Sequence, residues 1–81
     1  MDYIVKYYPN KQYRFYQLMA IEANDEWKAA SEARDKIIKK HPDSWGFKAK
    51  YATKSEIVQI GEEGRYLASP SEYKEDREKY L

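Results

Sequence analysis

Lys6, Tyr8, Arg14, Tyr16, Lys48 and Lys50 are the residues whose types and spacing could do chemistry. They fall into pairs two positions apart, the period at which an extended chain returns its side chains to one face. Tyrosine rings interleaved with cations on an open sheet face, together with Ile4 and Leu18, have two uses. The rings can stack on the bases of a single-stranded nucleic acid while the cations meet its phosphates. Alternatively, Tyr and Arg can bury as anchors in a partner protein, with the lysines setting register and association rate. An ordinary solvated sheet face would carry tyrosines too, because they favour strands.

Catalytic chemistry has less to stand on. His41 is the single histidine, and it lies beside Lys39 and Lys40 at the end of a helical pattern, where a cation offsets the helix dipole. No nucleophile elbow and no spaced His and carboxylate set occurs, so neither a catalytic residue, a metal site nor a cofactor is expected. Gly61-Glu62-Glu63-Gly64 lacks the Lys-Ser/Thr end of a phosphate loop, and its glutamates would repel phosphate; it reads as a turn. Glu72, Glu75, Asp76 and Glu78 read as the solvated face of a helix, paired with Lys74, Arg77 and Lys79 at helical spacing.

The elements that would position these residues follow from pattern and punctuation. Asp2 to Tyr8 and Tyr13 to Glu22 read as two strands joined by turn chemistry at Pro9-Asn10-Lys11, a hairpin. Asn24 to His41 reads as a long helix, with Asn24 as N-cap, Asp25 and Glu26 at its positive end, and Pro42 as the stop. Its stripe is Trp27, Ala30, Ala33, Ile37 and Ile38, interrupted by Arg34. Trp45 to Ala52 alternates as a third strand. The sheet face opposite the basic one would then hold Tyr3, Val5, Tyr7, Phe15, Met19, Ile21, Trp45, Phe47 and Tyr51, a core for the helix to cover, with Trp27 and Trp45 both buried.

Two readings compete after that. Thr53 to Glu56 matches a capping box for a short helix through Ile60, closed by Gly61. The rival is a strand from Glu56 to Ile60 that turns through Gly61–Gly64 into a strand from Arg65 to Ala68. The capping box favours the helix. Ser69-Pro70-Ser71-Glu72 opens a last helix, with its stripe Tyr73, Arg77 and Tyr80. So little apolar surface there implies that removing it leaves the rest folded. The expectation is one α+β domain over 1–81, of order β-β-α-β-α-α, with an antiparallel sheet covered on one face by the long helix.

Composition narrows the classes. The near balance of 15 basic and 14 acidic residues argues against a strongly basic duplex-DNA binder and against an acidic nucleic-acid mimic. The absence of cysteine removes disulfides and thiolate metal sites and fits a reducing cytoplasm. No apolar run spans a bilayer, and no membrane partner is expected.

The passage Ile21–Ala33, IEANDEWKAASEA, resembles a strand-to-helix junction of small bacterial and phage proteins. With its cysteine-free, Tyr-, Lys- and Glu-rich composition, the chain looks like the anti-CRISPR and other anti-defence proteins of mobile elements. The resemblance implies a non-enzymatic inhibitor that occludes a host protein in the host-cell cytoplasm. It implies no site residues and no particular fold, because anti-defence proteins have many.

Overall fold

The computed structural model describes residues 1–60 and 64–81. Seven elements follow in chain order: β1 (Asp2–Tyr8), β2 (Phe15–Glu22), α1 (Glu26–Ile38), β3 (Trp45–Tyr51), α2 (Lys54–Ile60), β4 (Arg65–Leu67) and α3 (Pro70–Tyr80). The α+β class is as the sequence predicts, with one more strand. The helix and strand readings after Thr53 each hold over part of the stretch. The capping box forms, with Thr53 Oγ1 accepting from the Glu56 amide and Glu56 Oε1 accepting from the Thr53 amide, and the chain then becomes a strand at Arg65. The predicted turn over 61–63 lies outside the described residues. Among the described residues no helix is long and apolar enough to cross a membrane.

The strands form one antiparallel sheet of order β3-β1-β2-β4. The hairpin register runs from Asp2 opposite Glu22 to Tyr7 opposite Gln17. Its connection is held by Asn10, whose Oδ1 accepts from the Gln12 amide at 2.6 Å. β1 is central and is packed on both faces: Tyr3, Val5, Tyr7 and Tyr8 are all buried.

α1 covers one face, as expected, but rotated from the predicted orientation. Its N-cap is Asp25 rather than Asn24, with Oδ1 accepting from the Lys28 amide at 2.8 Å. Regular helix ends at Ile38, and the amides of Lys40 and His41 both bond back to the Ile37 carbonyl before Pro42. The buried line is Ala29, Ala33 and Ile37, and its two alanines pack with Tyr3, Val5, Ile21, Met19 and Phe47. Two alanines at the contact let the helix approach the sheet closely. Trp27, about 200° round the helix from Ala29, is 84% exposed. Its predicted burial is therefore wrong. The small residues set the contact face, and a large ring has no room on it.

A bulge rearranges the other strand of the core. Between the pairs Lys6–Lys48 and Tyr8–Trp45, β3 supplies one more residue than β1, and Gly46 there has φ +76°. The extra residue moves Trp45 off the face of Phe47. Phe47 stacks on Tyr7 on the α1 side, and Trp45 stacks on Tyr8 on the opposite side. Strict alternation had put Trp45 and Phe47 together. Phe15 and Tyr51, also assigned to the core, are exposed.

A Cβ at Gly46 would lie 3.1 Å from Tyr8 Cδ2 and would force a side chain into left-handed backbone. Gly46→Ala is therefore expected to lose about 1–2 kcal/mol from the backbone alone, read as a lower urea midpoint at unchanged m-value. An unchanged midpoint would mean that the bulge does not need glycine.

Candidate functional site

The second face of the sheet carries the predicted binding residues, and it is not open. α3 lies across it near β3, and α2 lies across β1. The sequence puts α3 there through its caps: Ser69 Oγ accepts from the Glu72 amide, and Pro70 occupies the first turn. The side of α3 that meets the sheet bears Glu72, Tyr73, Asp76 and Tyr80. Relative to the predicted stripe of Tyr73, Arg77 and Tyr80, Asp76 replaces Arg77 and Glu72 is added.

Lys6 is the hub. Its ammonium lies 2.9 Å from Asp76 Oδ2 and 2.9 Å from Glu72 Oε2. The Tyr8 hydroxyl donates to the same Asp76 Oδ2 at 2.6 Å. Asp76, expected on a solvated face, is 8% exposed. Around this polar centre the aromatic rings close a second core. Tyr8 stacks on Trp45 at 4.3 Å between centroids and meets Tyr73 and Tyr16 edge-on. Trp45 Nε1 donates to the Asn10 carbonyl, and the Tyr73 hydroxyl donates to that of Lys11, so the hairpin turn is tied to both layers.

The electrostatics follow from burial and pairing. Burial pushes the Asp76 carboxyl up, but the Tyr8 hydroxyl and the Lys6 ammonium outweigh it and hold Asp76 below the usual carboxylate range. Burial acts to lower Lys6, and the carboxylates of Asp76 and Glu72 override it, leaving Lys6 above the ordinary lysine value. Tyr8 is raised by burial and by its bond to the Asp76 carboxylate. All three shifts deepen the existing protonation states. A proton-transfer pair needs the reverse, so the network reads as structural.

The residues predicted to bind a partner therefore separate. Tyr8 is fully buried and Lys6 is ion-paired beneath α3, so neither stands on an exposed face. Arg14 is half-buried, its guanidinium donating to the Ala68 carbonyl at 3.3 Å. Tyr16 is half-buried, stacked on Tyr66 with centroids 5.4 Å apart, and the Lys6 ammonium sits 4.6 Å from its ring centre. Lys48 and Lys50 are exposed. They stand at the rim of a groove of about 500 Å³ between α2 and the sheet, whose lining includes Ile4, Leu18, Tyr16, Tyr66 and Glu56. Tyr66 was missed because β4 is only three residues long. Among the described residues no group of three His, Cys, Asp or Glu side chains is placed to hold a metal.

No family model, curated protein or solved structure matches this chain. Its reading therefore rests on the geometry of its own side chains.

Removing one partner of a buried ion pair costs about 3–5 kcal/mol, whereas replacing both by apolar groups is often near neutral. Asp76→Ala is therefore expected to be more destabilised in urea than Lys6→Met/Asp76→Leu. Because Asp76 is held low, its contribution is present above about pH 4 and is lost as pH falls further; Lys6 and Tyr8, held high, contribute below about pH 10 and lose that contribution as pH rises. Stability measured against pH should thus fall at both ends, with the gap between wild type and Asp76→Asn narrowing below about pH 4. A constant gap down to pH ~2 would contradict the assignment.

Proposed function

We propose that the protein is a non-enzymatic binding module that occludes the surface of a partner protein. The partner is a host defence enzyme, met in the host-cell cytoplasm, as the likeness to anti-defence proteins implies. The observation that carries this reading is the division of the second sheet face. Its Tyr8 ring is sealed against Trp45 and its Tyr16 ring is stacked on Tyr66, while Lys48 and Lys50 remain exposed over an apolar-floored groove. Base stacking needs free ring faces, and these rings are engaged internally. A lysine rim over Ile4, Leu18 and Tyr66 suits a segment of a folded protein that combines carboxylates with apolar side chains. Single-stranded nucleic acid is the alternative occupant of this groove, favoured only by its lysine rim.

Tyr8→Ala, which would probe an open face, would here remove a core ring. The rim lysines are the clean probes, because exposed substitutions change stability by only about 0.5 kcal/mol. Lys48→Glu/Lys50→Glu is expected to abolish both capture of the partner from nuclease-treated host extract and inhibition of that partner's activity, with the melting curve unchanged. Tight binding of the wild type to labelled single strands, falling steeply with salt and lost in the double variant, would favour nucleic acid instead.

A further inference from the structure

β3 is an edge of the sheet: it pairs with β1 on one side and with no strand on the other among the described residues. The phase of its ladder is fixed by the bond from the Ala52 amide to the Asp2 carbonyl. In an antiparallel pair the bonded positions recur at every second residue. Lys50 and Lys48 therefore turn their N–H and C=O groups toward Ile4 and Lys6, and Ala49 and Tyr51 turn theirs outward. No loop or side chain among the described residues bonds to these outward groups. The side chains alternate too. Ala49 packs on the α1 side and Tyr51 meets Tyr3 there, whereas Lys48 and Lys50 stand exposed on the other side. Neither lysine forms an ion pair among the described residues, and the carboxylates nearby are engaged elsewhere. Glu56 accepts from Thr53, and Glu72 and Asp76 hold Lys6.

We infer that the outer edge of β3 takes an extended segment of the partner protein as a further strand, with acidic side chains alternating with apolar ones. The inference rests on the protein-partner reading proposed above and names the part of that partner that docks. Outward N–H and C=O groups on a strand edge select an extended backbone, because strand addition satisfies both kinds of group. The lysines select its side chains. Residues directly opposite each other on one face of a ladder interact, so the positions facing Lys48 and Lys50 are carboxylates. The intervening positions fall on the α1 side beside Ala49 and Tyr51 and are apolar. A second copy is a poor occupant of this edge. Pairing β3 with its own copy about a two-fold axis sets lysines against lysines on that face, and like charges opposite each other destabilise a ladder. Toward the start of β3 the edge runs into a groove of about 410 Å³ between the helices of the two layers. Phe47, Ala30, Ile38 and Tyr80 line it together with Arg34, and no carboxylate does, so an acidic and apolar segment is suited there as well.

Titration of the full chain with a short blocked peptide of alternating Glu and Val, against one of alternating Lys and Val, tests the inference. It needs no host partner, so its failure leaves the capture test of the proposed function standing. The Glu peptide is expected to bind at least about tenfold more tightly than the Lys peptide at low salt. Ala49→Pro removes an outward amide, a change an edge strand tolerates, and should weaken Glu-peptide binding at least about tenfold. Lys48→Glu/Lys50→Glu should reverse the preference between the peptides. A readout on the wild type is independent of how any variant folds. The Glu peptide should slow amide exchange at Ala49 and Tyr51 and leave Lys48 and Lys50, already bonded to β1, as they were. No binding of the Glu peptide at about 1 mM overturns the inference, and so does binding without that alternating protection. Self-association of the wild type that Ala49→Pro abolishes would assign the edge to a second copy and overturn it too.

Discussion

The Asp76 carboxylate, held between the Lys6 ammonium and the Tyr8 hydroxyl, is the contact on which the rest of the arrangement depends. α3 has little apolar surface of its own, essentially Tyr73 and Tyr80. Its place on the sheet is fixed by a buried ion pair that is stable only while all its members are present. With α3 seated, Tyr8 and Trp45 are removed from water and Tyr73 caps their stack. The Gly46 bulge then has a purpose: it delivers Trp45 to the side where Tyr8 and α3 can enclose it. An 81-residue chain has little volume for a single large core. This one builds two thin ones on opposite faces of a shared sheet, with β1 contributing to both.

That division changes the meaning of the tyrosines. A chain with nine of them suggests an aromatic binding face, yet Tyr3, Tyr7 and Tyr8 are buried and Tyr16, Tyr66, Tyr73 and Tyr80 are partly so. Tyr suits thin layers because it fills space with a ring and still satisfies a polar tip near the surface; the hydroxyl of Tyr8 reaches Asp76 and that of Tyr7 reaches Gln17. Among the described residues the most exposed large hydrophobic side chain is instead Trp27, with Lys48 and Lys50 exposed on the far side of the sheet.

Local signals in the sequence were legible where they involved near neighbours. The capping box at Thr53, the Ser69-Pro70 helix start and the hairpin strands all form as their spacing predicts. The cap of α1 moved by one residue because Asp25 and Asn24 are both competent. Three features needed tertiary knowledge. Period-two alternation cannot anticipate the Gly46 bulge, although a glycine inside a strand is its usual mark. The choice between the Trp27 line and the Ala29 line on α1 was settled by close approach to the sheet, which hydrophobicity alone ranks the wrong way. Asp76 looked solvated among its charged neighbours on α3. Its position between Tyr73 and Tyr80 on one helix face was the available hint that a carboxylate points inward. The same oversight made the Lys6–Tyr8 face look open.

Native-state amide hydrogen exchange measures most directly whether α3 belongs to the fold. If the Asp76 contact seals the second core, the amides of α3 from Asp76 to Tyr80 should open only with global unfolding and share the exchange free energy of β1 around Val5 and Tyr7. Exchange of the α3 amides through a much cheaper opening, while the β1 amides remain protected, would show that the helix is an appendage and that the sheet face beneath it is open.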